Sequence, residues 1–179
     1  WELCNIYVFT ADYLKIVELS QKAIALIEKT GTQAESFGQP SNMYAALILI
    51  NGQARGYLGD FETGQDMCEK SLRLARESGN IWGLTLSEHI YGWVFSTKGD
   101  GKSAIEHFLS VAKVWEQALA TGVLAVLRGG LAFAYYQVGD LETARKQAES
   151  AIKLHTEAGV NLLLSNSYLA LGLIHLDSG

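Results

Sequence analysis

The chain has 179 residues, 49% of them hydrophobic and 18% charged, with one proline, 18 glycines and a formal net charge of −5. So much apolar content with so little charge excludes a disordered chain, and an acidic balance without any Lys/Arg run excludes a phosphate-neutralising nucleic-acid face in this segment. No apolar run reaches the roughly 18 residues a membrane span needs, and the two cysteines, Cys4 and Cys68, stand in no metal or redox spacing, as expected of small core residues in a reducing, cytoplasmic compartment.

In chain order, residues 2–10 read as the tail of one helix, and Asp12 caps a second over 13–30. Gly31 to Pro40 is rich in Gly, Thr and Ser and reads as a loop. Helix pairs are then predicted over 41–58 and 61–78, 81–98 and 101–121, and 123–138 and 141–158, with a lone helix over 160–177. The expectation is one repeat array of about eight antiparallel helices and no strand.

The pairing rests on a phased series. Gly-Asp occurs at Gly59-Asp60, Gly99-Asp100 and Gly139-Asp140, 40 residues apart each time, and the next step falls on Gly179. Glycine can take the left-handed conformation that closes one helix, and aspartate caps the next. Asp12 to Asp60 is 48 residues, so the loop at 31–40 carries an eight-residue excess. Gly31, Gly79, Gly122 and Gly159 punctuate the other helix ends. A third series lies seven residues before each turn glycine: Gly52, Gly92, Ala132 and Gly172. Glycine inside a helix costs roughly 1 kcal/mol relative to alanine, so its recurrence at one phase implies close approach of a neighbouring helix.

These positions resemble the tetratricopeptide repeat (TPR), a two-helix unit with a small residue inside its first helix, helix A, and more small residues in its second, helix B. The B positions match at Gly64, Ala104 and Ala144, then at Ser71, Val111 and Ala151. The aromatic late in helix A is matched by Phe95 and Tyr135, whereas Arg55 and His175 depart from it. The proline after helix B is missing, and the 40-residue period exceeds the family's 34. The pattern is similar to long-repeat arrays in large bacterial signalling and transcription-regulating proteins. The resemblance implies an all-α, right-handed superhelix whose A helices line a concave face, with a non-enzymatic protein- or peptide-binding or regulatory role. The alternative is a small-ligand sensor that uses the same aromatic groove.

Phasing each helix A from its small residue selects Gln53, Tyr57, His89, Trp93, Thr97, Arg128, Phe133, Tyr136, Gln137 and Leu173 as the candidate partner-binding set. Aromatics and amides dominate it, and charges are few, as in the core of an interface. A basic carboxylate clamp is not supported, since Arg55 and Arg128 are the main cations near these helices.

No catalytic constellation, metal site or cofactor is predicted. The histidines His89, His107, His155 and His175 form no HExxH or other zinc spacing. Gly129-Gly130 is followed by no Walker-type Lys and falls inside a helix A, so close packing is the reading there. The chain opens on Trp1 and its last phased position is Gly179, from which a fragment of a longer protein is expected. Leu162, Leu163, Leu169, Leu171, Leu173, Ile174 and Leu176 give the terminal helix an apolar surface, expected to be covered by further repeats or to form a dimer.

Overall fold

The computed structural model describes residues 1–118, 120–161 and 163–178. Among them are nine α-helices and no strand: α1 (Glu2–Phe9), α2 (Tyr13–Thr30), α3 (Met43–Tyr57), α4 (Phe61–Glu77), α5 (Ile81–Lys98), α6 (Gly101–Gln117), α7 (Thr121–Gln137), α8 (Leu141–Ala158) and α9 (Leu164–Ser178). Odd-numbered helices are the A helices of the repeat and even-numbered ones the B helices. The count exceeds the expected eight by α1, a helix in its own right that packs Cys4, Tyr7 and Val8 into a cluster with Ile16, Ile50 and Ala54. Leu162 and Gly179, on which parts of the sequence reading rest, lie outside the described residues.

Two compact units make up the chain, Trp1–Val94 and Phe95–Gly179, divided within α5. In the first, α3 is buried on nearly every side from Tyr44 to Ala54. Ile27, Tyr44, Leu47 and Ile48 form one cluster there, and Leu49, Cys68, Ile90 and Val94 another. In the second, Ala132, Ala148 and Ala170 meet at zero exposure, joining α7, α8 and α9.

The Gly-Asp corners are alike in all three copies. Gly59, Gly99 and Gly139 sit at φ of +88°, +89° and +81°, which costs an L side chain about 1–2 kcal/mol. At the first corner the Gly59 N–H donates to the Gly56 carbonyl at 3.1 Å and the Asp60 N–H to the Arg55 carbonyl at 2.9 Å. The other two repeat both bonds with Ser96 and Phe95, and with Tyr136 and Tyr135. This pair of bonds is the Schellman closure of a helix. The same aspartate then opens the next helix: Asp100 accepts from the Ser103 N–H at 3.1 Å and Asp140 from the Thr143 N–H at 3.0 Å. Asp60 bonds Thr63 and also turns an oxygen to Arg55, at 2.7 Å.

The small-residue series marks real close approach at Gly52, but not at Gly172, where an added Cβ would meet nothing within 4 Å. A Cβ on Gly52 would lie 2.8 Å from the Gly64 carbonyl oxygen, and one on Gly64 would lie 2.9 Å from the Gly52 oxygen. The α3 and α4 backbones therefore touch through two bare α-carbons, and neither can yield without moving a helix. Two boundaries differ from the sequence reading. Helix α6 stops at Gln117 and α7 begins at Thr121, because the Ala120 N–H folds back to the Trp115 carbonyl and closes α6 early. Helix α9 starts at Leu164 rather than near 160, because Leu163 takes φ +58°.

Substitutions separate the two uses of glycine. Gly64→Ala forces a methyl against backbone on both sides, an overpacking expected to cost about 1–3 kcal/mol. Gly139→Ala has open space around its Cβ and loses only the conformational term, and Gly139→Asn should lose less, since Asn tolerates the left-handed region. Thermal unfolding followed by circular dichroism should rank the melting temperatures Gly139→Asn, Gly139→Ala, Gly64→Ala from highest to lowest.

The caps also set an acid limit. Asp100 is held below the usual carboxylate range by the Ser103 hydroxyl and then the Ser103 N–H. Asp140 is held low by the Thr143 N–H and hydroxyl. A depressed folded value means that the stabilisation is complete above about pH 4 and is lost as pH falls through the folded value. Asp140→Ala should lower the melting temperature at pH 7, and its gap from the wild type should close in stronger acid.

Candidate functional site

The ten residues chosen by phase fall on the A helices as expected, but their surroundings differ. In the first unit, the Gln53 side chain is only 9% exposed and hydrogen-bonds the Tyr57 hydroxyl. The half-buried Tyr57 ring packs on Tyr13 of α2, centroids 4.9 Å apart and tilted by 38°. Burial pushes the Tyr57 hydroxyl up to about 12, against the Gln53 bond. Tyr57 is thus committed largely to the neighbouring B helix.

One turn apart on α5, His89 and Trp93 form a pair. The Trp93 Nε1–H donates to His89 Nε2 at 3.3 Å, with the rings edge-on at 6.5 Å and 78°. Both side chains are half-buried. Burial pulls His89 down to about 4, so it is neutral near pH 7 and its Nε2 is available as the acceptor Trp93 uses. A neutral imidazole locking an indole gives a preset aromatic surface rather than an acid or base.

In the second unit Thr97 is exposed at the end of α5. Gln137 is occupied within the fold: its Nε2 donates to the Ser96 carbonyl at 2.7 Å, and its Oε1 accepts from the Ser96 hydroxyl at 3.2 Å. Arg128 points towards the B helices, donating to Gln147 of α8 at 3.0 Å and to Glu116 of α6 at 3.3 Å. Phe133 and Tyr136 do come together, centroids 6.4 Å apart, and Tyr136 donates to Asp177 of α9 at 2.8 Å. Leu173 of α9 is half-buried.

Several contributors were invisible to phasing. Tyr13 is on a B helix and enters only through its stack on Tyr57. Asp177 enters through Tyr136. The departure at Arg55 marks a polar network: its Nε donates to Asn51 Oδ1 at 2.9 Å, and Asn51 Nδ2 donates to the Ser20 hydroxyl at 2.8 Å. Where the repeat keeps its aromatic, Phe95 stacks on His107 at 5.2 Å and 15°. A polar outlier in a phased series was the available signal.

No group of three or more His, Cys, Asp or Glu among the described residues could hold a metal ion. Cys4 and Cys68 are free and buried, and burial pushes the Cys68 thiol up to about 12. A shallow pocket of about 350 Å³ lies under the 31–40 loop, lined by Gln33, Asn42, Tyr44, Leu74 and Glu77 among others, and contains none of the ten phased residues. No described helix is long and apolar enough to cross a membrane.

No family model matches the sequence, and no curated protein matches it. Solved structures do. A Podosopora anserina protein of nearly identical TPR-like repeats, named for the kinesin light chain, superposes with a TM-score of 0.65 at 17% identity, over 96% of this chain and 84% of that one. A single-substitution variant of that same protein matches equally. At that identity the likeness concerns the fold: the chain has the all-α, TPR-like helical-repeat fold.

The His89 environment makes a testable pH window. With the folded value near 4 and the unfolded one near 6.5, only the unfolded state takes up the proton between them. Its stabilisation is complete above about pH 6.5 and falls as pH drops towards 4. Melting temperatures of the wild type should decline across that window, and His89→Gln should flatten this part of the profile.

Proposed function

We propose that this chain is a non-enzymatic protein- or peptide-binding scaffold, a regulatory module of a larger, bacterial, cytoplasmic signalling protein. The observation that carries the reading is the makeup of the A-helix surfaces: partly open aromatic side chains fixed by polar neighbours, with the cations directed elsewhere. Trp93 is held by His89, and Tyr136 is held by Asp177 beside Phe133. Rigid aromatics supply contact area at little entropic cost, the usual chemistry of interface hot spots.

Within each unit the recognition set narrows from the original ten. In the first it centres on His89 and Trp93, with Gln53 and Tyr57 on the preceding A helix. In the second it centres on Phe133, Tyr136 and Leu173, with Thr97 at the margin. Gln137 and Arg128 serve the fold, bonding Ser96 and Gln147 there. The expected ligand is an extended, weakly charged peptide, whose backbone pairs with amide and hydroxyl groups while its side chains lie on the rings.

Display selection of peptides of about fifteen residues against the folded chain, followed by titration, tests the reading. Trp93→Ala should weaken a selected peptide by about thirtyfold, the weight of a hot-spot aromatic worth about 2 kcal/mol, while the melting temperature stays close to the wild type. Binding that survives both Trp93→Ala and Phe133→Ala would sink the proposal. A thermal shift confined to metabolites would favour the small-ligand sensor instead.

A further inference from the structure

We infer that the pocket beneath the 31–40 loop binds a small organic cation, an amidinium, guanidinium or primary ammonium group carried on an apolar body. The connection that roofs it, 31–42, runs twelve residues where its counterpart at 78–80 runs three. Both of its ends are fixed: the Asn42 amide donates to the Gln33 carbonyl at 2.7 Å and the Asn80 amide to the Pro40 carbonyl at 2.8 Å. An insertion tied down in this way encloses space. About 350 Å³ lies between it, the start of α3 and the end of α4, within the size range of small-molecule sites.

The chain departs from its own repeat at this place. Tyr44 lines the pocket, and in steps of 40 its station is held by Leu84, Leu124 and Leu164 in the later A helices. Tyr44 is buried, and its hydroxyl joins two charges that no leucine could engage. It donates to Glu28 Oε1 of α2 at 2.6 Å and accepts from Lys70 Nζ of α4 at 3.1 Å. The same ammonium stands over the ring, 5.2 Å from its centroid. Glu28 and Lys70 therefore offset one another on a single hydroxyl.

The lining itself specifies the occupant. Glu77 is its charged member, and among the described residues Glu77 makes no ion pair, not even with Arg73 one turn earlier. The half-buried Gln33 amide, also in the lining, makes no hydrogen bond among the described residues. Leu74, packed against the Tyr44 cluster, supplies an apolar wall. A cation seated here finds a carboxylate to pair with, an amide oxygen to accept a second N–H and a wall for its body. An anion would face Glu77 with no cation in the lining to offset it. None of the A-helix recognition residues lines the pocket, so this site is separate from the aromatic surface.

The probe is benzamidine, with benzamide and benzoate as its neutral and anionic counterparts, titrated into the intact chain by calorimetry. Saturable binding of benzamidine is expected, together with a rise in melting temperature, and both counterparts should bind at least about fivefold more weakly. Glu77→Gln, an exposed change that leaves the fold intact, should weaken benzamidine about fivefold, the weight of an open ion pair. Ala34→Trp, which fills the pocket from the exposed loop, should weaken it at least about tenfold. Trp93→Ala should leave benzamidine binding unchanged even as it weakens a selected peptide. No saturation would overturn the proposal, and so would benzoate binding as tightly as benzamidine. So too would an affinity unmoved by Glu77→Gln and Ala34→Trp, or one lost in Trp93→Ala, which would assign the cation to the aromatic surface instead.

Discussion

Everything in this fold depends on a two-residue corner that closes one helix and opens the next without a spacer. At Gly139-Asp140 the glycine supplies the left-handed φ, and the aspartate N–H returns to the outgoing helix while its carboxylate caps the incoming one. With end groups of both helices bonded inside about ten residues, the chain reverses direction at little cost in unpaired backbone. Two helices so joined must lie antiparallel and side by side. What remains to be specified is how near they come.

Small residues at one phase answer that. In the α3–α4 pair the contact is backbone to backbone through Gly52 and Gly64, and in the second unit alanines at 132 and 148 perform the same office. Such a seam is intolerant of volume, because its opposing atoms are carbonyls and α-carbons rather than side chains that can rotate away. Elsewhere a bulky neighbour uses the space: a Cβ on Gly130 would lie 2.8 Å from the Phe108 ring. The repeat therefore holds a distance constant rather than a residue.

That distinction explains what the sequence revealed and what it concealed. Helix order, the Gly-Asp corners and the loop at 31–40 were all legible, since each is a local conformational demand written at a fixed interval. Phase along an A helix told where Trp93 and Phe133 would stand. It could not tell that Arg128 reaches sideways to Gln147, that Gln137 folds onto Ser96 or that Tyr13 stacks on Tyr57. Long side chains choose among neighbours supplied by distant segments, and a one-dimensional period carries no record of that choice. The late start of α9 was hidden for a different reason: leucine at φ +58° is a strained conformation that no propensity favours.

The two kinds of connection have unequal latitude. The A-to-B corners that follow α3, α5 and α7 are confined to 58–60, 99–100 and 138–140, whereas the B-to-A connections run from three residues, as at 78–80, to the twelve of 31–42. That longest one is tethered rather than loose, by Asn42 to the Gln33 carbonyl at 2.7 Å and by Asn80 to the Pro40 carbonyl at 2.8 Å. Length variation is thereby channelled to one class of junction. A designer wishing to graft a reporter, an epitope or a second recognition loop into this scaffold has a ready place for it, and three places to leave strictly alone.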